Sequence, residues 1–329
     1  MSREAGVVTL AELQAPVAPG LEAVRAELRR LIQADFGLIA EVNTHLLQMQ
    51  GKMFRPTLVL LADAATGRAD PRATSFAAIV ELIHLATLVH DDSVDHSVMR
   101  RGMPTINALF SHQISVIMGD YLYSRAVIEL VRLEDLAALR VLSRVTNEMT
   151  VGEMRQLLAH DPLHFSEADY DLLIRSKTAS LISGACEVGA LGAPAPEREA
   201  MARFGYHLGM AFQVVDDLLD FTADEAATGK PSGLDLREHK VTLPLIHALP
   251  RMTPAQRRTV EVLMANPAPT DGEIQAVVDA VAQCGGLEYA RGRAERFIEA
   301  AEADLGVLDP SPARETLRAS LAYVLDRRR

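Results

Sequence analysis

Tryptophan is absent from this chain of 329 residues, and aromatic residues as a whole make up only 5% of it. So few aromatic side chains argue against a protein that stacks on nucleic-acid bases. The chain also contains only two cysteines, Cys186 and Cys284, which have no metal-ligand spacing and form no disulfide framework. This scarcity is typical of a protein of the reducing cytoplasm.

Basic residues are outnumbered, 33 against 44 acidic ones, which gives a formal net charge of −11. An acidic chain of this kind is not expected to bind nucleic acid broadly. The N-terminus lacks the basic-then-apolar order of a signal peptide, and no uncharged apolar run reaches the length of a membrane span. We therefore expect a cytoplasmic protein with no nucleic-acid partner and no transmembrane segment.

Long stretches rich in Ala, Leu, Glu and Arg, separated by Gly and Pro, predict an almost entirely α-helical chain. No alternating strand pattern interrupts them, so we expect one all-α domain over residues 1–329. A first helix is predicted from about Pro19 to Met49, and residues 1–18 are expected to be loosely ordered. The stretch Phe76–Val89 is apolar almost all round, which predicts a buried helix.

Two copies of the pattern D-D-x-x-D, at residues 91–95 and 216–220, lie in apolar helical stretches. Buried carboxylates are costly unless something neutralises them. Carboxylate clusters without histidine or cysteine suit Mg²⁺, which usually binds together with substrate phosphates. The candidate metal ligands are Asp91, Asp92, Asp95, Asp216, Asp217 and Asp220.

Each motif continues a polar stripe along its helix, because a helix turns by about 100° per residue. A carboxylate that answers a basic residue on another helix would explain one aspartate, but it explains three in five residues poorly. The E-x-x-H at residues 81–84 is half of a di-iron signature, but the sequence has no second copy, so a di-iron site is not expected. The stripes contain His84, Asp91 and Asp95 in one helix and Gly209, Gln213, Asp216 and Asp220 in the other.

Basic residues that could bind a diphosphate flank both motifs, since Arg binds phosphate as a fork and Lys as a point charge. An ordinary solvated charge is the alternative for each, and two arginines near the first motif could form local salt bridges instead. These candidates are Lys52, Arg55, Arg100, Arg101, Lys177, Lys230 and Lys240.

The ordered series GKMFRP, ELIHLATLVHDDSVDHSVMRRG, MGDYL, SKTA, FQVVDDLLD, TGKPSGLDL and KVTLP resembles the trans-isoprenyl diphosphate synthases, or polyprenyl synthetases. The resemblance spans roughly Gly51 to Pro244. It implies an all-α bundle around a central cavity, usually a homodimer, that condenses isopentenyl diphosphate with an allylic diphosphate. One departure is Met53-Phe54, where members often have a second basic residue.

The resemblance also implies roles for single positions. The six aspartates would hold three Mg²⁺ around the allylic diphosphate. Arg100, Lys177 and Lys240 match positions that bind that diphosphate, and Lys230 matches a position beside the second motif. Lys52, Arg55, His84 and Arg101 match positions for the isopentenyl diphosphate, and Thr178 and Gln213 match polar positions near the reacting carbons. The candidate catalytic residues are Asp91, Asp92, Asp95, Lys177, Asp216 and Lys230.

Product length is predicted from Ala86 and Thr87, which occupy positions before the first motif where short-chain members often carry aromatic residues. Both are small, which favours an open tunnel and a long all-trans product, on the order of C30 to C50, from a farnesyl or geranylgeranyl starter. Peripheral contact with a membrane during product release is left open. The tunnel floor could lie deeper, at Met118, Tyr121 or Tyr123.

Several alternatives remain. A short-chain synthase making C15 or C20 products would use the same chemistry. A terpene cyclase generally lacks a second D-D-x-x-D. A non-catalytic subunit of a heteromeric synthase tends to lose the aspartates, and a purely structural bundle leaves them unexplained. The C-terminal residues 327–329, all arginine, are interpreted as cations at a helix C-terminus.

Overall fold

The structure is a computed structural model that describes residues 8–49, 51–158, 162–222 and 233–327. It is an all-α bundle, as predicted. The helices of the first half are α1 (Leu10–Gln14), α2 (Ala18–Leu31), α3 (Gly37–Gln48), α4 (Phe54–Ala65), α5 (Ala73–Val94), α6 (Ile106–Leu109), α7 (His112–Arg132) and α8 (Leu136–Leu158).

The helices of the second half pack against α4 and α5 or extend the bundle beyond them. A wide π-helical turn, Arg175–Ala179, joins the first two of these helices. They are α9 (Glu167–Ile174), α10 (Ser180–Gly189), α11 (Ala195–Thr222), α12 (Leu234–Arg237), α13 (Leu243–Ala248), α14 (Pro254–Ala265), α15 (Asp271–Gln283), α16 (Gly286–Leu305) and α17 (Pro312–Leu325).

The non-α elements are small. Three single 3₁₀ turns cover Ala15–Val17, Pro162–His164 and Leu249–Arg251. Strand β1 (Met99–Arg100) pairs antiparallel with β2 (Met103–Pro104) in a hairpin directly after α5. This hairpin matters for function because it folds the residues after the first aspartate motif back toward that motif.

The prediction of a single first helix from about Pro19 to Met49 is wrong. The chain forms two helices there, α2 and α3, with a break between them. Side chains from other elements take the last carbonyls of α2: Arg125 Nε donates to Leu31 O at 2.5 Å, and Asn43 Nδ2 donates to Ile32 O at 2.5 Å. The hydroxyl of Tyr121 also donates to Ile32 O. Carbonyls satisfied in this way no longer need the next turn of helix.

The expectation of loose order over residues 1–18 is also corrected for the described part. Helix α1 begins at a capping box between Thr9 and Glu12, and Leu13 is buried. Gln14 Nε2 donates to Lys52 O at 2.7 Å, so α1 supports the turn before α4. Residues 1–7 lie outside the described residues.

Helix α5 is buried on most sides, as predicted for Phe76–Val89. Its apolar residues form one core with α2, α3, α7 and α8, while α4, α10, α11, α16 and α17 form a second. Among the described helices only α5 is long and apolar enough to cross a membrane, and 61% of its most apolar stretch is buried inside the bundle. That burial is what a core helix requires.

Candidate active site

The first aspartate motif lies at the C-terminal end of α5, where the hairpin turns back. Arg100, on β1, donates through Nε to both carboxylate oxygens of Asp92 at 2.7 and 2.9 Å. The local salt bridge that the sequence left open is therefore formed. Burial raises the pKa of Asp91 to about 6, although Lys177 and Arg100 act in the opposite direction.

Lys177 meets this motif from the π turn. Its Nζ lies 2.8 Å from Glu153 Oε2 and 3.7 Å from Asp91 Oδ2. Burial lowers the pKa of Lys177, but the carboxylates of Asp91 and Glu153 outweigh it, so the pKa is raised overall. Lys177 is therefore a firmly charged cation at the first motif. Glu153, which comes from α8, lies in no motif that would identify it from the sequence.

The π turn directs two adjacent side chains toward different helices. Lys177 faces α5 and α8, while Thr178 Oγ1 donates to Gln213 Oε1 on α11 at 2.7 Å. A Cβ on Gly209 would lie 2.6 Å from Ala179 Cα, so only glycine allows α11 to come this close. Single π turns inside helices occur frequently at functional sites. The structure thus brings Thr178 and Gln213 into contact, and their position near the reacting carbons stays a prediction.

The second aspartate motif lies at the end of α11, and its members differ in exposure. The side chain of Asp216 is 47% exposed. Asp217 is buried, accepts from the Tyr170 hydroxyl at 2.6 Å and accepts from Gln213 Nε2 at 2.8 Å. Burial raises the pKa of Asp217 to about 8. Both of its oxygens therefore accept hydrogen bonds within the protein, and its role as a metal ligand stays a prediction.

Asp92 is buried in the same way, since its side chain is 5% exposed and paired with Arg100. Both residues are predicted metal ligands, and in this structure both accept hydrogen bonds from protein donors. Of the other carboxylates in the two motifs, Asp95 and Asp216 are exposed, and Asp91 and Asp220 are half-buried.

A further acidic residue, Asp235, joins the second motif. Its backbone N–H donates to Asp220 Oδ2 at 3.0 Å, and the N–H of Leu234 donates to Asp220 Oδ1 at 3.0 Å. Burial, together with the charge of Asp220, raises the pKa of Asp235 to about 7. Asp235 belongs to the TGKPSGLDL motif, from which no role was predicted for it. Lys230, in the same motif, lies outside the described residues.

Lys240 connects the two motifs electrostatically. Its Nζ lies 2.6 Å from Glu238 Oε2. Burial lowers its pKa, but Glu238 raises it more, with further contributions from Asp95 of the first motif and from Asp235. Lys240 is therefore near enough to interact electrostatically with a carboxylate of each group.

A cavity of about 240 Å³ lies beside the motifs, and its lining is strongly basic. The lining includes all four residues predicted to bind the isopentenyl diphosphate. Two further charged side chains, Glu81 and Arg327, also line the cavity. The lining includes Lys52, Arg55, Glu81, His84, Arg101 and Arg327.

His84 is neutral in this cavity. Arg55 Nη1 lies 3.0 Å from His84 Nε2, and because an arginine only donates, the histidine nitrogen accepts. Burial lowers the pKa of His84 well below its usual value, and Arg55 and Arg101 lower it further. His84 therefore adds no positive charge and orients Arg55 instead.

Arg101 reaches the cavity past a glycine. A Cβ on Gly51 would lie 2.8 Å from Arg101 Nη1, which donates to Met49 O at 2.9 Å. Burial raises the pKa of Glu81, and the nearby Arg55 and Arg101 oppose that rise. Glu81 is thus the buried counter-charge of the two arginines, a role that the sequence left undefined.

The interpretation of Arg327 as a simple helix-end cation is wrong. Its side chain is 11% exposed, its Nη1 lies 3.2 Å from Asp216 Oδ1, and its guanidinium lies 4.2 Å from the centre of the Phe212 ring. It therefore joins the basic cavity to the second motif. Arg328 and Arg329 lie outside the described residues.

The residues predicted to set product length lie in the core below the first motif. Ala86 is 2% exposed, and Thr87 Oγ1 donates to His84 O at 2.8 Å. Met118 is buried in the same core as Ala86. Tyr123 is 39% exposed with its hydroxyl near Thr146, so it cannot form a floor inside one protomer.

The donor set fits Mg²⁺. The accessible donors are carboxylate oxygens, with no cysteine or histidine among them. Within the described ranges, no three acidic, histidine or cysteine side chains converge into a closed metal cage. Mg²⁺ usually keeps several waters and binds through one or two carboxylates plus substrate phosphates, so open carboxylates on two facing helices suit it.

Comparison with known proteins agrees with this geometry. The model of the polyprenyl synthetase family matches residues 37–281. The octaprenyl diphosphate synthase of Escherichia coli (strain K12) is 37% identical over 321 residues, covering 96% of this chain and 98% of that protein. The heptaprenyl diphosphate synthase component 2 of Geobacillus stearothermophilus is 38% identical over 309 residues, covering 92% and 94%.

Comparison of the fold with solved structures agrees with the sequence comparison. The crystal structure of a decaprenyl diphosphate synthase from Rhodobacter capsulatus matches with a TM-score of 0.92 at 36% identity, covering 98% of this chain and 100% of that one. A helix bundle with two facing aspartate motifs beside a basic cavity defines a trans-prenyltransferase. The chain belongs to the polyprenyl synthetase family, and its similarity is to the long-chain members.

If the open carboxylates bind Mg²⁺ together with a diphosphate, the pair should stabilise the fold. Mg²⁺ plus inorganic pyrophosphate should raise Tm by roughly 5 °C, more than the two added separately. The Asp216→Asn variant should lose most of this rise, whereas Asp279→Asn, at an exposed position of α15, should keep it. Calorimetric melting measures both, and an equal rise in the two variants would contradict the site.

Proposed function

We propose that the protein condenses isopentenyl diphosphate with an allylic diphosphate, farnesyl or geranylgeranyl, to give an all-trans polyprenyl diphosphate on the order of C30 to C50. The observation that carries the proposal is the buried basic cavity next to two facing carboxylate motifs. This arrangement provides one place for each of two diphosphates. The whole chain would act as a single catalytic unit.

The allylic diphosphate would lie between the motifs. Asp91, Asp95 and Asp216, with Asp220 and Asp235 nearby, would hold Mg²⁺, which supplies the charge that stabilises the leaving diphosphate. Lys177 and Lys240 are charged, partly buried and close to the carboxylates, so they can bind the same phosphates. Lys230 is proposed to bind there on the motif resemblance alone.

Arg100 is also proposed at the allylic diphosphate, although it pairs with Asp92 in this structure. A guanidinium that already has one carboxylate partner can still offer its other N–H groups to phosphate oxygens. Asp92 would then hold Arg100 in position for the substrate.

The isopentenyl diphosphate would lie in the basic cavity. Lys52, Arg55 and Arg101 supply charge, His84 orients Arg55, and Arg327 adds a further guanidinium. This cavity adjoins Asp216 through Arg327, which brings the second substrate next to the first.

The reaction would proceed through charge separation and needs no side-chain nucleophile. The allylic C–O bond breaks, and its electron pair leaves with the diphosphate. The isopentenyl double bond then attacks the allylic cation, forming the new C–C bond, and the departed diphosphate takes up the proton that is lost. Water would quench the cation, so the apolar helices around the site have a direct chemical role.

The direct test is incubation of the purified chain with isopentenyl diphosphate, farnesyl diphosphate and Mg²⁺, followed by mass analysis of the prenyl alcohols. Asp216→Ala should lower turnover by about a thousandfold because a charge that stabilises the leaving group is lost. Asp279→Ala is the folded control and should retain full activity. Near-normal turnover of Asp216→Ala would refute the assignment.

Tunnel depth gives a second prediction. Ala86→Phe should shorten the product by filling the space below the first motif, whereas Ala86→Ser should leave its length unchanged. Because Ala86 is buried, the larger residue should also cost about 1–3 kcal/mol of stability, so the melting of both variants needs to be measured. An unchanged product from folded Ala86→Phe would remove this position as the determinant.

We also propose a homodimer formed through α7 and α8. Tyr123 on α7 contacts Thr146 on α8, and both helices expose large apolar side chains. Ile117 is 63% exposed and Ile128 is 49% exposed on α7, while Met154 is 55% exposed on α8. Exposed apolar residues grouped on adjacent helices are typical of an interface.

Ile128→Glu should convert the dimer to a monomer, because a charge in an apolar interface is left without a partner. Val262→Glu, at an exposed apolar position on α14, should not. Light scattering after size-exclusion chromatography gives the molecular mass of the wild type and of each variant. A monomeric wild-type chain would exclude the homodimer.

The name of one relative, component 2, supports a second candidate, a subunit of a heteromeric synthase. This candidate predicts that the purified chain is inactive alone and gains activity with a partner recovered from the cell. The same product assay therefore separates the two.

A further inference from the structure

The turn before α4 carries two of the cations that line the basic cavity, Lys52 and Arg55. Between them lies Met53, with φ 52° and ψ 31°, the left-handed region that residues other than glycine rarely adopt. Met53 is 3% exposed and belongs to the first core. A strained residue of this kind persists only where surrounding contacts hold it in place.

A proline explains why this turn needs a donor from another element. In a helix each carbonyl accepts from the N–H four residues later, and four residues after Lys52 comes Pro56, which has no N–H. The next carbonyl, that of Met53, does have its helical partner, the N–H of Thr57 at 3.0 Å. The carbonyl of Lys52 therefore has no partner to gain from α4.

Gln14, on α1, supplies that donor. Its Nε2 donates to Lys52 O at 2.7 Å and to Thr57 Oγ1 at 3.3 Å. The Thr57 hydroxyl in turn donates to Met53 O at 2.7 Å, and Thr57 is 1% exposed. The two N–H bonds of one amide thus match two acceptors, one on each side of the left-handed residue.

Helix α1 is held in the position that this contact requires. Leu13, the neighbour of Gln14, is 1% exposed and belongs to the second core. The helix packs against α4 and α17, and the capping box between Thr9 and Glu12 closes its first turn. The amide of Gln14 therefore reaches the turn from a supported helix.

We propose that Gln14 is a positioning residue for the isopentenyl diphosphate: by holding Lys52 O it keeps the turn left-handed and so fixes Lys52 and Arg55 relative to one another in the basic cavity. Without this donor, Met53 can return to the right-handed region, which changes the direction of the Lys52 side chain. The inference rests on the proposed function for the identity of the substrate, whereas diphosphate binding by the cavity can be measured without turnover.

Calorimetric titration with inorganic pyrophosphate, in the absence of Mg²⁺, tests the inference. Without metal the carboxylates of the aspartate motifs repel this anion, so the basic cavity is the expected site, and Arg55→Gln should remove most of the binding. Gln14→Met nearly keeps the side-chain volume and removes the amide. Its Kd should rise about fivefold, the loss typical of one hydrogen bond. A Kd equal to that of the wild type would overturn the inference, and a wild type that does not bind would exclude the cavity as a diphosphate site and the inference with it.

Thr9→Ala is the matched control, because it removes the capping box of the same helix and leaves the contact with Lys52 O in place. This variant should bind pyrophosphate as the wild type does. Thermal melting shows whether both variants are folded. If Thr9→Ala weakens binding as much as Gln14→Met, the cause is a general loosening of α1 and the proposal is wrong.

Thr57→Val tests whether the two contacts of Gln14 act on one turn. Valine keeps the branched shape and removes the hydroxyl, so the Kd for pyrophosphate should rise here too. Adding Gln14→Met to Thr57→Val should weaken binding little further, because both changes release the same residue. Fully additive effects would contradict a shared role.

Steady-state kinetics separate positioning from a structural role. In Gln14→Met, KM for isopentenyl diphosphate should rise about fivefold, while kcat and KM for farnesyl diphosphate stay at their wild-type values. A lower kcat with an unchanged KM would count against the inference. A wild type that binds pyrophosphate and forms no product counts against the proposed function alone, whereas unchanged pyrophosphate binding in Gln14→Met counts against the inference alone.

Discussion

Charged side chains inside this helix bundle need opposite charges or hydrogen-bond partners, and the arrangement of the active site follows from that constraint. Removing one member of such a pair leaves an uncompensated charge that costs about 3–5 kcal/mol. Arg100 therefore pairs with Asp92, and the charges of Arg55 and Arg101 oppose the rise in the pKa of the buried Glu81. These interactions connect α4, α5 and the hairpin.

The features that could be predicted from the sequence are those encoded in short stretches. Helix periodicity places His84, Asp91 and Asp95 on one face whatever surrounds the helix. The order of the motifs then indicated the family, and the structure brings Lys52, Arg55, His84 and Arg101 to one cavity. An apolar helix such as α5 can be identified in the same way, because its burial is visible in its own composition.

The features that could not be predicted depend on contacts between distant segments. The break after α2 requires Arg125 and Tyr121 from α7, which no pattern near residue 31 indicates. Arg327 enters the cavity only because α17 packs beside α4. Asp217 looked equivalent to its neighbours in the motif, and its different surroundings become clear only once α9 is placed against α11.

The π turn between α9 and α10 makes the length of this segment as important as its composition. Tyr170 and Lys177 are seven residues apart, so in a regular α-helix they would lie within about 20° of the same face. Here they face α11 and α8 respectively, because the turn is one residue wider. Deleting a single residue would restore a regular helix and turn one of them away from its partner. Homologous chains should therefore tolerate substitutions between these positions but not insertions or deletions.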